Sequence, residues 1–309
     1  MSIRTLLAAF AAFLGCLVLP ASAQTITGPG DFDFTLAHDG IPRKFRVHVP
    51  RSDVAGQPLP LLVALHGGGG NMDLQADDAF YGQISASEKY GFIALFPNGF
   101  SRLPRGRLAT WNAGRCCGAA RDRGADDVGF IRAAVQEVAR QASVDRQRIY
   151  ATGMSNGAMM AYRLACDAAD LFSGIAAVAG TDNTTSCQPA RPVVVLHIHA
   201  RDDSHVLFDG GAGPDSVRAS AVTDYTSVGD TIAKWRRLDG CTAAPRRVLQ
   251  VPGASCELYE PCAAGTRVQL CVTNTGGHSW PGGRKPRGGP PPSQAISAND
   301  VMWAFFNRR

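Results

Sequence analysis

Two kinds of apolar pattern alternate along the chain. Continuous apolar runs at 59–65, 92–96, 175–179 and 193–198 have the length of strands covered on both faces. Residues 45–49 alternate apolar with polar, as a half-buried strand nearer a sheet edge does. Segments 149–152 and 267–273 complete the predicted strands. Helical spacing lies between them. Residues 126–142 place Val128, Ile131, Val135 and Val138 on one face, with acids at the start, where a helix dipole favours them. Segments 78–89 and 156–166 are predicted helices. Ser227 with Asp230, and Ser297 with Asp300, are capping boxes that open helices reaching 238 and 306. Strands alternating with helices predict an α/β fold: a mainly parallel central sheet with helices on both faces. In such sheets, active sites lie past the carboxyl ends of the strands.

The beginning of the chain changes the compartment. Arg4, an apolar stretch over 6–19 and the small residues Ala21-Ser22-Ala23 predict a cleaved secretory signal over 1–23. Lipidation of Cys16 is a weaker reading, because bulky residues precede it and apolar sequence follows. No other stretch approaches the roughly 20 apolar residues of a membrane span. Residues 24–309 are then expected to form a single domain, with no membrane contact in the mature form. Of nine cysteines, eight remain after the signal: Cys116, Cys117, Cys166, Cys187, Cys241, Cys256, Cys262 and Cys271. An even number in an exported chain predicts disulfides, with connectivity unreadable from sequence. The neighbours Cys116 and Cys117 are expected to bond to different partners. The net charge of +5 is mild. Basic residues are scattered apart from Arg284-Lys285-Arg287, so nucleic-acid binding has no support. Residues 282–292, rich in Gly and Pro, read as a loop.

Candidate chemistry centres on Gly153-Met154-Ser155-Asn156-Gly157. A bare G-x-S-x-G match means little in a chain with 34 glycines. This one follows a predicted strand and opens a predicted helix, the context a nucleophile elbow requires. Ser155 is the candidate nucleophile, and the Asn156 amide at the helix start is a candidate oxyanion donor. A serine needs a base and the base an orienting acid, in the chain order Ser, Asp, His. Asp203 is the preferred acid in Arg201-Asp202-Asp203-Ser204-His205-Val206, and Asp202 is the alternative. His278 is the histidine that follows the acid on a loop after a strand. The loop His66-Gly67-Gly68-Gly69-Gly70-Asn71 offers the second oxyanion amide, from Gly68 or alternatively Gly69. His66 is expected to brace that loop, and His197 and His199 to pack structurally on one strand face.

The segments LHGGGGN, WNAGRCCG, DDVGFI, GMSNGAMMAYRLAC, HARDDSHVLFDGG and GGHSWPGG together resemble the secreted poly(3-hydroxybutyrate) depolymerase-like esterases, a group overlapping the feruloyl esterases of carbohydrate esterase family one. The resemblance runs over residues 32–306. It implies an α/β-hydrolase fold and a serine carboxylesterase that uses no metal or organic cofactor. By that resemblance Ser155 is the nucleophile, Asp203 the acid, His278 the base, and Gly68 and Asn156 the oxyanion donors. Trp280 and Trp111 look like substrate-contact aromatics. The family often has His-Gly-Thr-x-Asp before the acid, where this chain has His199-Ala200-Arg201-Asp202-Asp203. Leu207 stands where a proline is common.

The favoured substrate is a feruloyl or other aryl ester on plant polysaccharide, with Trp280 and Trp111 stacking its ring. The alternative is a hydroxyalkanoate polyester or its oligomers. A non-catalytic exported binding protein on the same fold is the alternative of another class. A zinc site on Cys256, Cys262 and Cys271 has unsuitable spacing.

Overall fold

Ten strands form one sheet in the order β1-β2-β4-β3-β5-β6-β7-β10-β9-β8, with buried apolar runs at its centre. The structure is a computed structural model that describes residues 24–52, 57–216, 224–286 and 288–308. The predicted signal and Arg287 lie outside those residues. The strands are β1 (Gly30–His38), β2 (Ile41–Val49), β3 (Leu59–Leu65), β4 (Ile93–Pro97), β5 (Val144–Met154), β6 (Gly174–Val178), β7 (Val194–Ala200), β8 (Arg246–Val251), β9 (Ala254–Tyr259) and β10 (Val268–Thr273). From β4 to β10 in the sheet order every pairing is parallel. Antiparallel strands flank this centre on both sides. The carboxyl ends of β3, β5, β6, β7 and β10 therefore share one edge.

Alternation along the central strands divides the core in two. Leu61, Val63 and Leu65 face one layer, while Leu62 and Ala64 face the other. The first layer packs under α5 (Asp127–Gln141), α6 (Asn156–Asp167) and α7 (Val228–Leu238). The second packs under α1 (Met72–Ala76), α2 (Asp78–Tyr81), α3 (Gln83–Tyr90) and α8 (Ala298–Phe306). A short α4 (Gly118–Arg123) precedes α5.

Most predicted elements appear within a few residues of their expected bounds. The helix expected over 78–89 is two, broken at Gly82, whose φ of 60° is left-handed. The segment 149–152 is the buried end of an 11-residue strand. The caps form as expected: the Ser227 hydroxyl accepts from the Asp230 amide at 2.9 Å, and Ser297 accepts from Asp300 at 3.2 Å. Among the described residues, no helix is long and apolar enough to cross a membrane.

Candidate active site

Ser155 sits between the end of β5 and the start of α6 with φ 57° and ψ −123°. A non-glycine residue in such a conformation costs on the order of 1–3 kcal/mol and persists only where its surroundings enforce it. Here the Ser155 amide donates to the Val178 carbonyl at 2.9 Å. The flanking glycines are a steric requirement. A Cβ on Gly153 would stand 2.5 Å from the Gly157 carbonyl carbon and 2.9 Å from the Leu65 oxygen. A Cβ on Gly157 would collide with the Leu65 oxygen and lie 2.7 Å from the His66 oxygen. The turn is thus pressed onto the end of β3, with the half-buried serine above the sheet edge.

The end of β3 carries the glycine loop. Gly69 donates its amide to the Ala109 carbonyl at 2.8 Å, and Gly70 donates to Gly67 at 3.0 Å. The Gly69 amide is therefore engaged, while among the described residues the Gly68 amide has no acceptor. A Cβ placed on Gly68 would be 3.5 Å from the Asn156 Cβ, and one on Gly67 would be 3.6 Å from the Ser155 Cβ. Among the described residues neither the Gly68 nor the Asn156 amide has an acceptor, and both lie beside the serine. His66 braces the loop as expected. Its Nδ1–H donates to the Gly67 carbonyl at 2.8 Å, and its Nε2 accepts from the Gly99 amide at 2.9 Å. Burial pushes the His66 pKa down to about 4, so the ring is neutral and Nε2 is free to accept.

The loops after β7 and β10 bring the acid and the imidazole together. His278 Nδ1 donates to Asp203 Oδ2 at 2.9 Å. The other carboxylate oxygen accepts from the amides of His205 and Val206 at 2.8 and 3.0 Å. Burial would raise the Asp203 pKa, but hydrogen bonds from His199 and His278 overcome it and hold the carboxyl far below the usual range. Asp202 does not face the imidazole. It is exposed, and its Oδ1 accepts from the Gly277 amide at 2.8 Å, which ties the His278 loop to the acid loop. His205 stacks on His278 with ring centroids 4.6 Å apart. Asp203, His205 and His278 have donor atoms within 4.8 Å of one another, a cluster that includes the acid–imidazole pair itself. Among the described residues, neither the Ser155 hydroxyl nor His278 Nε2 bonds to another residue.

The tryptophans are placed otherwise than expected. Trp111 is 0% exposed and Trp280 2% exposed, so neither presents a ring to a substrate. Trp280 packs edge-on against Tyr81 at 5.7 Å. Trp111 Nε1 donates to the His66 carbonyl at 2.9 Å beneath the glycine loop. The Trp111 segment is anchored from behind by Asp127, which accepts from the Asn112 amide at 2.8 Å and from buried Arg43 at 2.6 Å. The exposed apolar side chain beside the site is Leu108, 58% exposed. Its Cδ2 lies 3.9 Å from where a Gly69 Cβ would stand. A leucine among three arginines in the segment 101–108 gave little reason to single it out.

The cysteines pair as Cys166–Cys187, Cys241–Cys262 and Cys256–Cys271. Those pairs consume every other cysteine of residues 24–309, so Cys116 pairs with Cys117 and not with a separate partner as expected.

A hydroxyl on a strained turn, an imidazole held by a buried carboxylate and two unengaged amides are the parts needed for acyl transfer. Comparison with known proteins agrees. The profile of a family described as esterase PHB depolymerase matches residues 45–231. Feruloyl esterase B of Piromyces equi is 31% identical over 243 residues, covering 77% of this chain and 42% of that protein. The putative esterase NocK of Nocardia uniformis subsp. tsuyamanensis is 30% identical over 260 residues, covering 80% and 73%. This chain thus spans less than half of the Piromyces protein. An acetyl xylan esterase structure from Aspergillus awamori superposes with a TM-score of 0.60 at 15% identity, over 89% of this chain and 99% of that one. That likeness shows the α/β-hydrolase fold. With the matched span containing the glycine loop, the serine turn and the acid loop, the chain belongs to the esterase PHB depolymerase family.

Proposed function

We propose that this chain is a secreted serine carboxylesterase, one catalytic domain following a cleaved leader. The observation that carries the reading is the Asp203–His278 hydrogen bond of 2.9 Å on the sheet edge where Ser155 occupies its strained turn. His278 Nε2 takes the Ser155 proton as Oγ attacks the ester carbonyl. Asp203 fixes the ring with its proton on Nδ1 and stabilises the imidazolium. The Gly68 and Asn156 amides receive the developing oxyanion, each contributing about 3 kcal/mol. His278 then protonates the leaving alcohol, and water attacks the acyl-enzyme by the same route. The Ser155–His278 contact closes as substrate binds, since catalytic hydrogen bonds often tighten only in the Michaelis complex.

The favoured substrates are feruloyl or other aryl esters of plant polysaccharide, the reading supported by the similarity to feruloyl esterase B. With both tryptophans buried, Leu108 is the candidate apolar contact for the acyl group. The family description favours a second reading, a hydroxybutyrate polyester or its oligomers. Turnover of methyl ferulate against a hydroxybutyrate trimer separates the two, and inactivity on ferulate ends the first. Ser155→Ala run beside wild type, with labelling of Ser155 by an organophosphonate, tests the hydrolase itself. Folded wild-type protein that neither turns over esters nor takes the label would instead be a non-catalytic binding protein.

A further inference from the structure

Asp203 is met from behind by a buried row of polar rings that the proposed mechanism does not use. His197 and His199 point from β7 into the layer beneath α6 and α7, their rings stacked at 5.2 Å. Tyr162 of α6 reaches His197 Nδ1 at 2.7 Å. His197 Nε2 meets His199 Nδ1 at 3.1 Å. His199 Nε2 lies 2.9 Å from the Val206 carbonyl and 3.3 Å from Asp203 Oδ2, the oxygen that holds His278. All three rings are in the core.

The row has one consistent direction. A carbonyl and a carboxylate only accept, so His199 Nε2 carries its hydrogen. The buried Tyr162 hydroxyl has no other acceptor among the described residues, so it donates to His197 Nδ1. His197, whose pKa burial drives well below the ordinary value with His199 adding to the effect, is neutral. Its remaining hydrogen on Nε2 is donated to His199 Nδ1. Each donor fixes the tautomer of the next ring, and the last hydrogen lands between Val206 and Asp203.

We propose that His199 is a positioning residue for the Asp203–His278 pair, held in its donating tautomer by the buried chain from Tyr162 through His197. The inference rests on reading Asp203 and His278 as orienting acid and base. A buried polar cluster that merely satisfied its own atoms would not need to end on the oxygen that bonds His278. A carboxylate pinned by two backbone amides on one oxygen and by His199 on the other cannot rotate away from the imidazole.

Two amide replacements separate the arms of His199. His199→Gln keeps a donor at the Nε2 position and loses the acceptor for His197; His199→Asn does the reverse. We expect His199→Asn to lower kcat by about tenfold, the scale of lost supporting hydrogen bonds, with KM nearly unchanged. The low-field proton signal of the Asp203–His278 hydrogen bond should move or broaden. His199→Gln should keep most of the wild-type kcat and the signal. Tyr162→Phe should lower kcat less than His199→Asn in wild type, and should do nothing further beside His199→Gln, where no ring tautomer is left to set. Folded His199→Asn with wild-type kcat and signal overturns the inference, as do Asn and Gln variants with equal losses. If the His199 variants do not fold, Tyr162→Phe decides, and an unmoved signal there is the overturning result. Should wild type hydrolyse no ester, the proposed function falls while the proton signal still decides the role of His199.

Discussion

Asn156 holds Trp111 by both ends of its peptide backbone: the side-chain Oδ1 accepts from the Trp111 amide at 2.7 Å and Nδ2 donates to the Trp111 carbonyl at 3.0 Å. The residue proposed to offer its amide to the oxyanion is thereby locked by its side chain to the strip on which the glycine loop rests.

Asn156→Ala leaves the amide in the chain but releases that lock. The buried Trp111 amide also loses its partner, at about 1–3 kcal/mol, while the Trp111 carbonyl still accepts from the Cys117 amide at 3.0 Å. kcat is expected to fall by about 100-fold, near the cost of removing one oxyanion donor, with KM for a small ester little changed. A variant with wild-type kcat would mean that the amide needs no such support.

The neighbours Asp202 and Asp203 should separate cleanly. Asp203→Asn removes the acceptor that sets the imidazole tautomer, and kcat should drop by about 10⁴-fold. Asp202→Asn keeps an oxygen to accept from the Gly277 amide, so its activity should stay close to wild type. A kinetic comparison of the two variants on one soluble ester checks the assignment, and equal losses would refute it.

How far the sequence reveals the site depends on what each feature needs to know. The serine turn was legible because its requirement is local: glycines two residues either side, a strand before and a helix after. The pairing of Asp203 with His278 was legible from chain order and loop placement. The Trp280 and Trp111 positions were not legible, because burial is decided by partners distant in sequence. Tyr81 covers Trp280 from the other half of the chain, and His66 caps Trp111 at a centroid distance of 4.9 Å. The approach of His199 to the Asp203 carboxylate is not legible, since nothing in one sequence shows which atom lies behind a carboxylate. The strands β8 and β9 escaped because Arg246 and Arg247 begin the first of them and blur its alternation. The alternation of Phe32, Phe34 and Leu36 along β1 carries a strand signal that the sequence prediction does not include.

The Cys166–Cys187 bridge ties the end of α6 to the loop before β7 across 21 residues. Closing a loop of that length contributes about 3 kcal/mol by restricting the unfolded chain. The double variant Cys166→Ala/Cys187→Ala should lower stability in urea by about that amount while leaving kcat largely intact, since the bridge lies at the far end of α6 from Ser155. A mass spectrum of the native protein with eight free thiols would contradict all four pairings.

Asp239, at the end of α7, should make stability fall as pH rises. Its Oδ1 accepts from the Val193 amide at 3.1 Å, and its Oδ2 is buried with no partner among the described residues. Burial raises its pKa from 3.8 to about 7, against the smaller opposing effect of the Val193 amide. Between those two values the folded protein keeps a proton that the unfolded chain has released, so unfolding free energy declines as pH increases. The loss begins near the unfolded value and is complete once pH passes about 7, amounting to at most about 4 kcal/mol. Asp239→Asn keeps the oxygen that Val193 needs and removes the ionisation. The variant should melt above wild type at pH 8, and the gap should shrink steadily as pH is lowered to 4. Melting temperatures that differ by the same amount at both pH values would show that this carboxyl does not ionise inside the fold at the expense of stability.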